Sequence, residues 1–126
     1  MSENQVRTYA VRARSTDTFG RVLCSARDQH LVVDGPVQNG CPGEAIGPAE
    51  LFLGGVATCG VELVYSIARD QQLPLSSVAV EIEGRMDRGN PVRRDVSVFN
   101  SVHVRFQLAG VTQAQGEDLI ERFRAR

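Results

Sequence analysis

Cys59 is the residue whose type and setting first suggest chemistry. It stands in the run Gly55-Val56-Ala57-Thr58-Cys59-Gly60, in the middle of an apolar segment. A thiolate at this point would be a nucleophile, provided that a cation or dipole lowers its pKa and substrate can reach it. Without those conditions a buried free cysteine packs as a small, inert hydrophobe. The N-terminal helix dipole fades within the first turn. An arginine from elsewhere would have to supply the positive field. Glu62 follows Cys59 by three residues and shares its helical face. A bare carboxylate raises a thiol pKa, so Glu62 would help only by orienting an arginine or by accepting a proton. Glu50 lies nine residues before Cys59, about half a turn out of phase on a helix. In a first turn its charge complements the helix dipole.

Other chemistries find less support. All fourteen basic residues are arginine, which excludes a Schiff-base or lysine-nucleophile mechanism. His30 and His103 are isolated, and Cys24, Cys41 and Cys59 lack metal-ligand spacing; no metal is expected. The loop Gly40-Cys41-Pro42-Gly43 lacks the lysine of a phosphate cradle, and no cofactor is expected. Arg93-Arg94 reads as a solvated turn, and Arg122, Arg124 and Arg126 as a solvated helix end.

The element that must position Cys59 is a helix opened by Pro48, whose missing N–H costs nothing at the first helical position. It is expected to run to about Gln72, ahead of Pro74. From Leu51 to Ala68 it is apolar nearly all round, which predicts burial on most faces. Gly54, Gly55 and Gly60 each weaken a helix by about 1 kcal/mol relative to alanine, so close approach of another backbone is expected at those points. Before it, Val6–Arg14, Arg21–Ala26 and His30–Asp34 read as strands, with a loop from Gly35 to Gly47. After it, alternation predicts strands over Val78–Arg88 and Val96–Ala109, with a bulge near Phe99–Ser101. Thr112 and Gln115 fit a capping box for a last helix with Leu119, Ile120 and Phe123 on its apolar stripe. Grouped strands with few helices argue for an α+β class. One small sheet covers only one side of the apolar helix, so a homodimer is expected to cover the rest.

The chain has 126 residues, 42% of them hydrophobic and 23% charged, an ordinary globular composition for one domain spanning 1–126. A formal net charge of −1 gives no basic field for nucleic acid or anionic membrane, so neither is an expected partner. Leu51–Ala68 contains Glu62, three glycines and two small hydroxyl residues, which argues for a core helix against a membrane span of about 20 largely apolar residues. The polar stretch Met1–Arg14 and the odd cysteine count predict a reducing, cytoplasmic setting.

Motif and order together resemble a known family. His30-Leu-Val-Val-Asp34-Gly-Pro36, a glycine-rich loop, and Gly47-Pro48-Ala-Glu50-Leu51-Phe52 leading to Ala57-Thr-Cys59 are similar to the OsmC/Ohr family, the osmotically induced and organic hydroperoxide resistance proteins. Gln71-Gln-Leu73-Pro74-Leu75 and Leu108-Ala-Gly110-Val-Thr112 also fit. Ala49 stands directly after the proline, where the hydroperoxide resistance subgroup carries a glutamate, and Glu50 follows; this is closer to the OsmC-like branch. The resemblance implies an OsmC-like fold in which antiparallel strands of both subunits wrap buried central helices in an intertwined homodimer. It also implies a thiol peroxidase that reduces organic hydroperoxides at the expense of a dithiol, with Cys59 as nucleophile. The family's arginine falls in the region of Arg14, Arg21 and Arg27, with Arg21 favoured because it follows Gly20; Glu50 or Glu62 would orient it. The family's second cysteine follows the last helix, about where Arg126 stands. Cys41, in its loop, is the candidate resolving thiol within the sequence, whereas Cys24 reads as strand packing. A non-catalytic protein holding a small hydrophobic ligand in an apolar dimer pocket is the competing expectation.

Overall fold

Arg27 and Asp28 reverse the chain between two six-residue strands, and this two-residue turn sets the register of everything around it. The computed structural model describes residues 5–125 and divides the chain into two compact units, Met1–Leu51 and Phe52–Arg126, taken here in turn.

The first unit is a three-stranded antiparallel sheet, β1 (Arg12–Ser15), β2 (Arg21–Ala26) and β3 (Gln29–Asp34), in that spatial order. β1 is shorter than the expected Val6–Arg14. Arg12 pairs with Ser25, and β2 ends one residue later, so residues 6–11 lie outside the ladder. The connection from Gly35 is the expected loop, with one 3-10 turn over Val37–Asn39. Gly20, at φ 81°, and Gly35 meet through Gly35 N–H donating to Gly20 O at 2.8 Å. A Cβ at either glycine would collide with the Cys41 thiol.

Helix α1 spans Pro48–Asp70. Glu50 turns back to accept a hydrogen bond from Gly47 N–H at 2.8 Å, which anchors the first turn. At the far end Leu73 N–H reaches Ala68 O and Gln72 N–H reaches Arg69 O, a Schellman closure. Gln72 takes the left-handed position at φ 57°, so the helix ends before it.

In the second unit, β4 (Ser77–Arg85) pairs antiparallel with β5 (Ser101–Ala109) along their full length. β5 starts later than the expected Val96, because its partner ends at Arg85 opposite Ser101; residues 96–100 belong to the connection, and the expected bulge is its last part. The alternation of β4 holds, with Val78, Val80 and Ile82 on the covered face. Helix α2 (Gln113–Arg124) opens on the expected capping box: Thr112 Oγ1 accepts from Gln115 N–H, and Gln115 Oε1 accepts from Thr112 N–H. The core consists of Val64, Ile67 and Ala68 of α1 with Leu119 of α2, flanked by Leu75, Val78, Phe106, Leu108 and Phe123.

Only one face of α1 is buried, that of Gly60, Val64, Ile67 and Ala68. The expectation of burial on most faces is not met within the single chain, because a two-stranded sheet and one short helix cover one side only. Gly60 is the small residue that lets the edge-to-face pair Phe106–Phe123, 5.4 Å between centroids, sit against the helix. The expected neighbour was a backbone; the observed one is an aromatic ring. Among the described residues, no neighbouring element lies within 4 Å of where a Cβ on Gly54 or Gly55 would stand. By length and composition α1 would also suffice to cross a membrane.

Candidate functional site

Cys59 is a free, exposed cysteine on α1. The exposed positions Phe52, Gly55, Val56, Cys59 and Glu62 follow the i, i+3, i+4, i+7 spacing of one helical stripe. The thiol therefore stands in a largely apolar exposed strip, beside the face spent on the core. Glu62 sits one turn further on, and its carboxylate accepts a hydrogen bond from Ser66 Oγ at 2.8 Å. Beside this strip Ala57, Thr58, Val61, Glu62 and Val80 line a hollow of about 280 Å³. Four of the five lining residues come from α1 and one from β4, and Cys59 is not among them.

Arg21 belongs to the first unit, at the start of β2, directly across the ladder from Asp34 at the end of β3. Its Nε donates to Asp34 Oδ1 at 2.8 Å and its Nη2 to Asp34 Oδ2 at 2.9 Å. Nη2 also reaches Glu44 Oε1 at 2.7 Å. Asp34 Oδ2 further accepts Glu44 N–H at 3.0 Å and Ala45 N–H at 2.9 Å. The Asp34 side chain is fully buried, while Arg21 keeps 31% of its side chain exposed. Hydrogen bonds from Arg21, aided by the Ala45 and Glu44 amides, outweigh desolvation and hold the Asp34 carboxyl well below the usual carboxylate range. Hydrogen bonds to the Asp34 carboxylate first, and then to that of Glu44, raise the Arg21 guanidinium further above its ordinary value.

Arg21 is thus held by carboxylates, but not by those expected from sequence. Asp34 and Glu44 do the holding; Glu50 serves Gly47 and Glu62 serves Ser66. The missed residue Asp34 was within reach of sequence reasoning. Counting back from the Arg27-Asp28 turn places Arg21 opposite Asp34, and opposite charges on facing strand positions attract. Glu44 had no such signal, since loop path decides its approach. Two carboxylates on one guanidinium leave a net charge of −1, so Arg21 can act on an anion only through directed N–H groups and not through a positive field. Its Nη1 has no hydrogen-bond partner among the described residues.

Cys41 is partly buried, and its thiol points at Asn39 O at 3.9 Å. Cys24 is partly buried in β2, across from Leu31. Ser25 Oγ and His30 Nδ1 lie 2.7 Å apart. Arg93 pairs with Asp95, Arg122 with Asp118 and Arg124 with Glu121 at the surface. Among the described residues no group of three or more His, Cys, Asp or Glu is placed to hold a metal ion.

A model of the OsmC-like protein family matches residues 41–126, and the chain belongs to that family. Its fold is similar to that of an OsmC-like protein from Mycoplasma pneumoniae, at a TM-score of 0.81 and 13% identity, covering 95% of this chain and 82% of the other. An OsmC-like protein of unknown function from Vibrio cholerae gives 0.80 and 12%, covering 95% and 89%. An organic hydroperoxide resistance protein from Legionella pneumophila gives 0.70 and 22%, covering 97% and 85%. Among curated protein sequences none matches the chain. The architecture is therefore the α+β fold with two helices and antiparallel sheets found in OsmC-like structures.

Proposed function

We propose that the chain is a thiol-dependent peroxidase that reduces organic hydroperoxides with Cys59 as its nucleophile. The observation that carries this reading is the exposed thiol of Cys59 on an apolar helical strip in a member of a family that includes hydroperoxide resistance proteins. In the reaction the Cys59 thiolate attacks one peroxide oxygen. An S–O bond forms, the O–O bond breaks, and the leaving alkoxide takes a proton to become the alcohol. Cys59 is left as a sulfenic acid. One thiol of an external dithiol then displaces water from that sulfur, and its second thiol closes a disulfide and releases Cys59.

Arg21 is assigned the role of directing N–H groups at the thiolate or the peroxide, with Asp34 and Glu44 fixing its fork. Glu50 is assigned to the helix start. The apolar character of the strip suits an alkyl peroxide better than hydrogen peroxide, since the alkyl group gains from leaving water. The homodimer belongs to the same proposal: an exposed row containing Phe52 and Val56 is the kind of face a second copy covers. Cytoplasmic placement also belongs to it, because the cycle needs a pool of reduced thiols.

The test is consumption of cumene hydroperoxide coupled to dithiol oxidation. The wild-type chain turns over, and Cys59→Ser does not. Equal rates for the two proteins would end the proposal.

A further inference from the structure

The connection between β4 and β5 runs over residues 86–100, long for a hairpin loop, and both its ends are tied down. Asn100 N–H donates to Arg85 O at 2.7 Å, Asn100 Oδ1 accepts Asp87 N–H at 2.7 Å, and Asn100 Nδ2 donates to Asn90 O at 2.8 Å. Phe99 lies against Phe52, 6.1 Å between centroids, and over Gly84, where a Cβ would strike its ring. One asparagine and one phenylalanine thus fix both ends of the loop.

The loop borders an open hollow of about 640 Å³, a size in the range of small-molecule sites. Its wall carries Arg88, Arg93 and Arg94 with Met86, Val96 and Val98. The two acids in the same wall are committed. Asp95 holds Arg93 through Nε at 3.0 Å, and the Asp87 carboxylate accepts Gly89 N–H at 2.9 Å. Arg88 and Arg94 have no acidic partner among the described residues. Three arginines against two aspartates leave one positive charge in the wall. Met86, Val96 and Val98 are each at least 40% exposed, so an apolar surface lies ready beside that charge.

We infer that this hollow binds a carboxylate bearing an apolar tail, with Arg88 and Arg94 holding the carboxylate and Met86, Val96 and Val98 taking the tail. A guanidinium fork matches a carboxylate with two parallel hydrogen bonds. The single excess charge matches a monoanion; a phosphate dianion would exceed it. The apolar residues add affinity that an anion without a tail cannot collect.

Isothermal titration of the full chain with decanoate, decanol and inorganic phosphate tests this. Decanoate binds saturably, and decanol and phosphate each bind at least tenfold more weakly. The double variant Arg88→Gln, Arg94→Gln loses at least tenfold in decanoate affinity with an unchanged thermal melt. Val96→Asp, which sets a like charge beside the ligand, weakens decanoate as well. The inference is overturned if decanoate fails to bind, if the double variant binds it as wild type does, or if phosphate binds as tightly. Failure to bind would leave the hollow to a second copy of the chain. The titration reads binding without turnover, so its outcome is separate from that of the peroxidase proposal.

Discussion

Arg21 grips Asp34 with two parallel hydrogen bonds, 2.8 and 2.9 Å, across the open end of the β2–β3 hairpin. The loop that follows folds its Glu44 and Ala45 amides onto the same carboxylate. A single buried acid therefore ties together two strands and a loop, and it fixes the direction of the Arg21 fork.

This pair makes stability depend on acid. In the folded chain the Asp34 carboxyl titrates well below its ordinary value, chiefly through the Arg21 hydrogen bonds; in the unfolded chain it titrates near 3.9. Above about pH 5 both states are ionised and the contribution is present in full. As pH falls through the unfolded value, the unfolded chain binds the proton first and stability declines. The contribution is gone once the folded carboxyl is also protonated. Asp34→Asn is expected to lower Tm at pH 7 by at least about 5 °C and to flatten the acid limb between pH 5 and 2. Thermal melts of both proteins across that range give the answer; parallel acid limbs would mean that Asp34 is not the group titrating.

Gln72 occupies the left-handed position that closes α1, at φ 57°. Glycine meets no Cβ penalty there. Gln72→Gly is therefore expected to stabilise the chain by about 0.5–1 kcal/mol, read as a higher urea midpoint at an unchanged slope.

The capping box of α2 depends on the Thr112 hydroxyl, which accepts from Gln115 N–H at 3.1 Å. Thr112→Ala leaves that amide without its partner and is expected to cost about 1 kcal/mol. Thr112→Ser, which keeps the oxygen, should recover most of it in the same denaturation experiment.

Val56 stands exposed in the row with Phe52 and Cys59. If a second copy covers that row, Val56→Arg places a charge in the interface and shifts the species seen by sedimentation from dimer to monomer. The variant's far-ultraviolet circular dichroism should not change, since the Val56 side chain is exposed. A wild-type chain that sediments at its monomer mass of 13.7 kDa would remove the dimer from the account.

Much of this arrangement was legible in the residues. The cap at Thr112, the alternation of β4 and the proline start of α1 are local signals, and local hydrogen bonding satisfies each of them. The lengths of β1 and β5 were not legible, because a strand extends only as far as its partner: β2 ends past Ser25 and β4 ends at Arg85. The end of α1 was displaced by two residues, since Gln72 adopts a conformation that its type does not advertise. Cys59 was singled out by its setting, and Arg21 by the family resemblance and its place after Gly20; the roles of both are proposals. The acids that hold Arg21 were not found: Asp34 is brought there by strand register and Glu44 by the return of a glycine-rich loop, neither of which is a property of neighbouring residues.

The central claim is that the Cys59 thiol reacts with organic hydroperoxides, and sulfenic-acid trapping read by intact mass tests it most directly. Wild type and Cys59→Ser are each exposed to cumene hydroperoxide or hydrogen peroxide in the presence of a trapping dione. The account predicts rapid single addition to wild type, faster with cumene hydroperoxide, and none on the fast timescale in Cys59→Ser. Slow addition that is the same in both proteins would contradict it, and would leave the chain as a binder of small hydrophobic ligands.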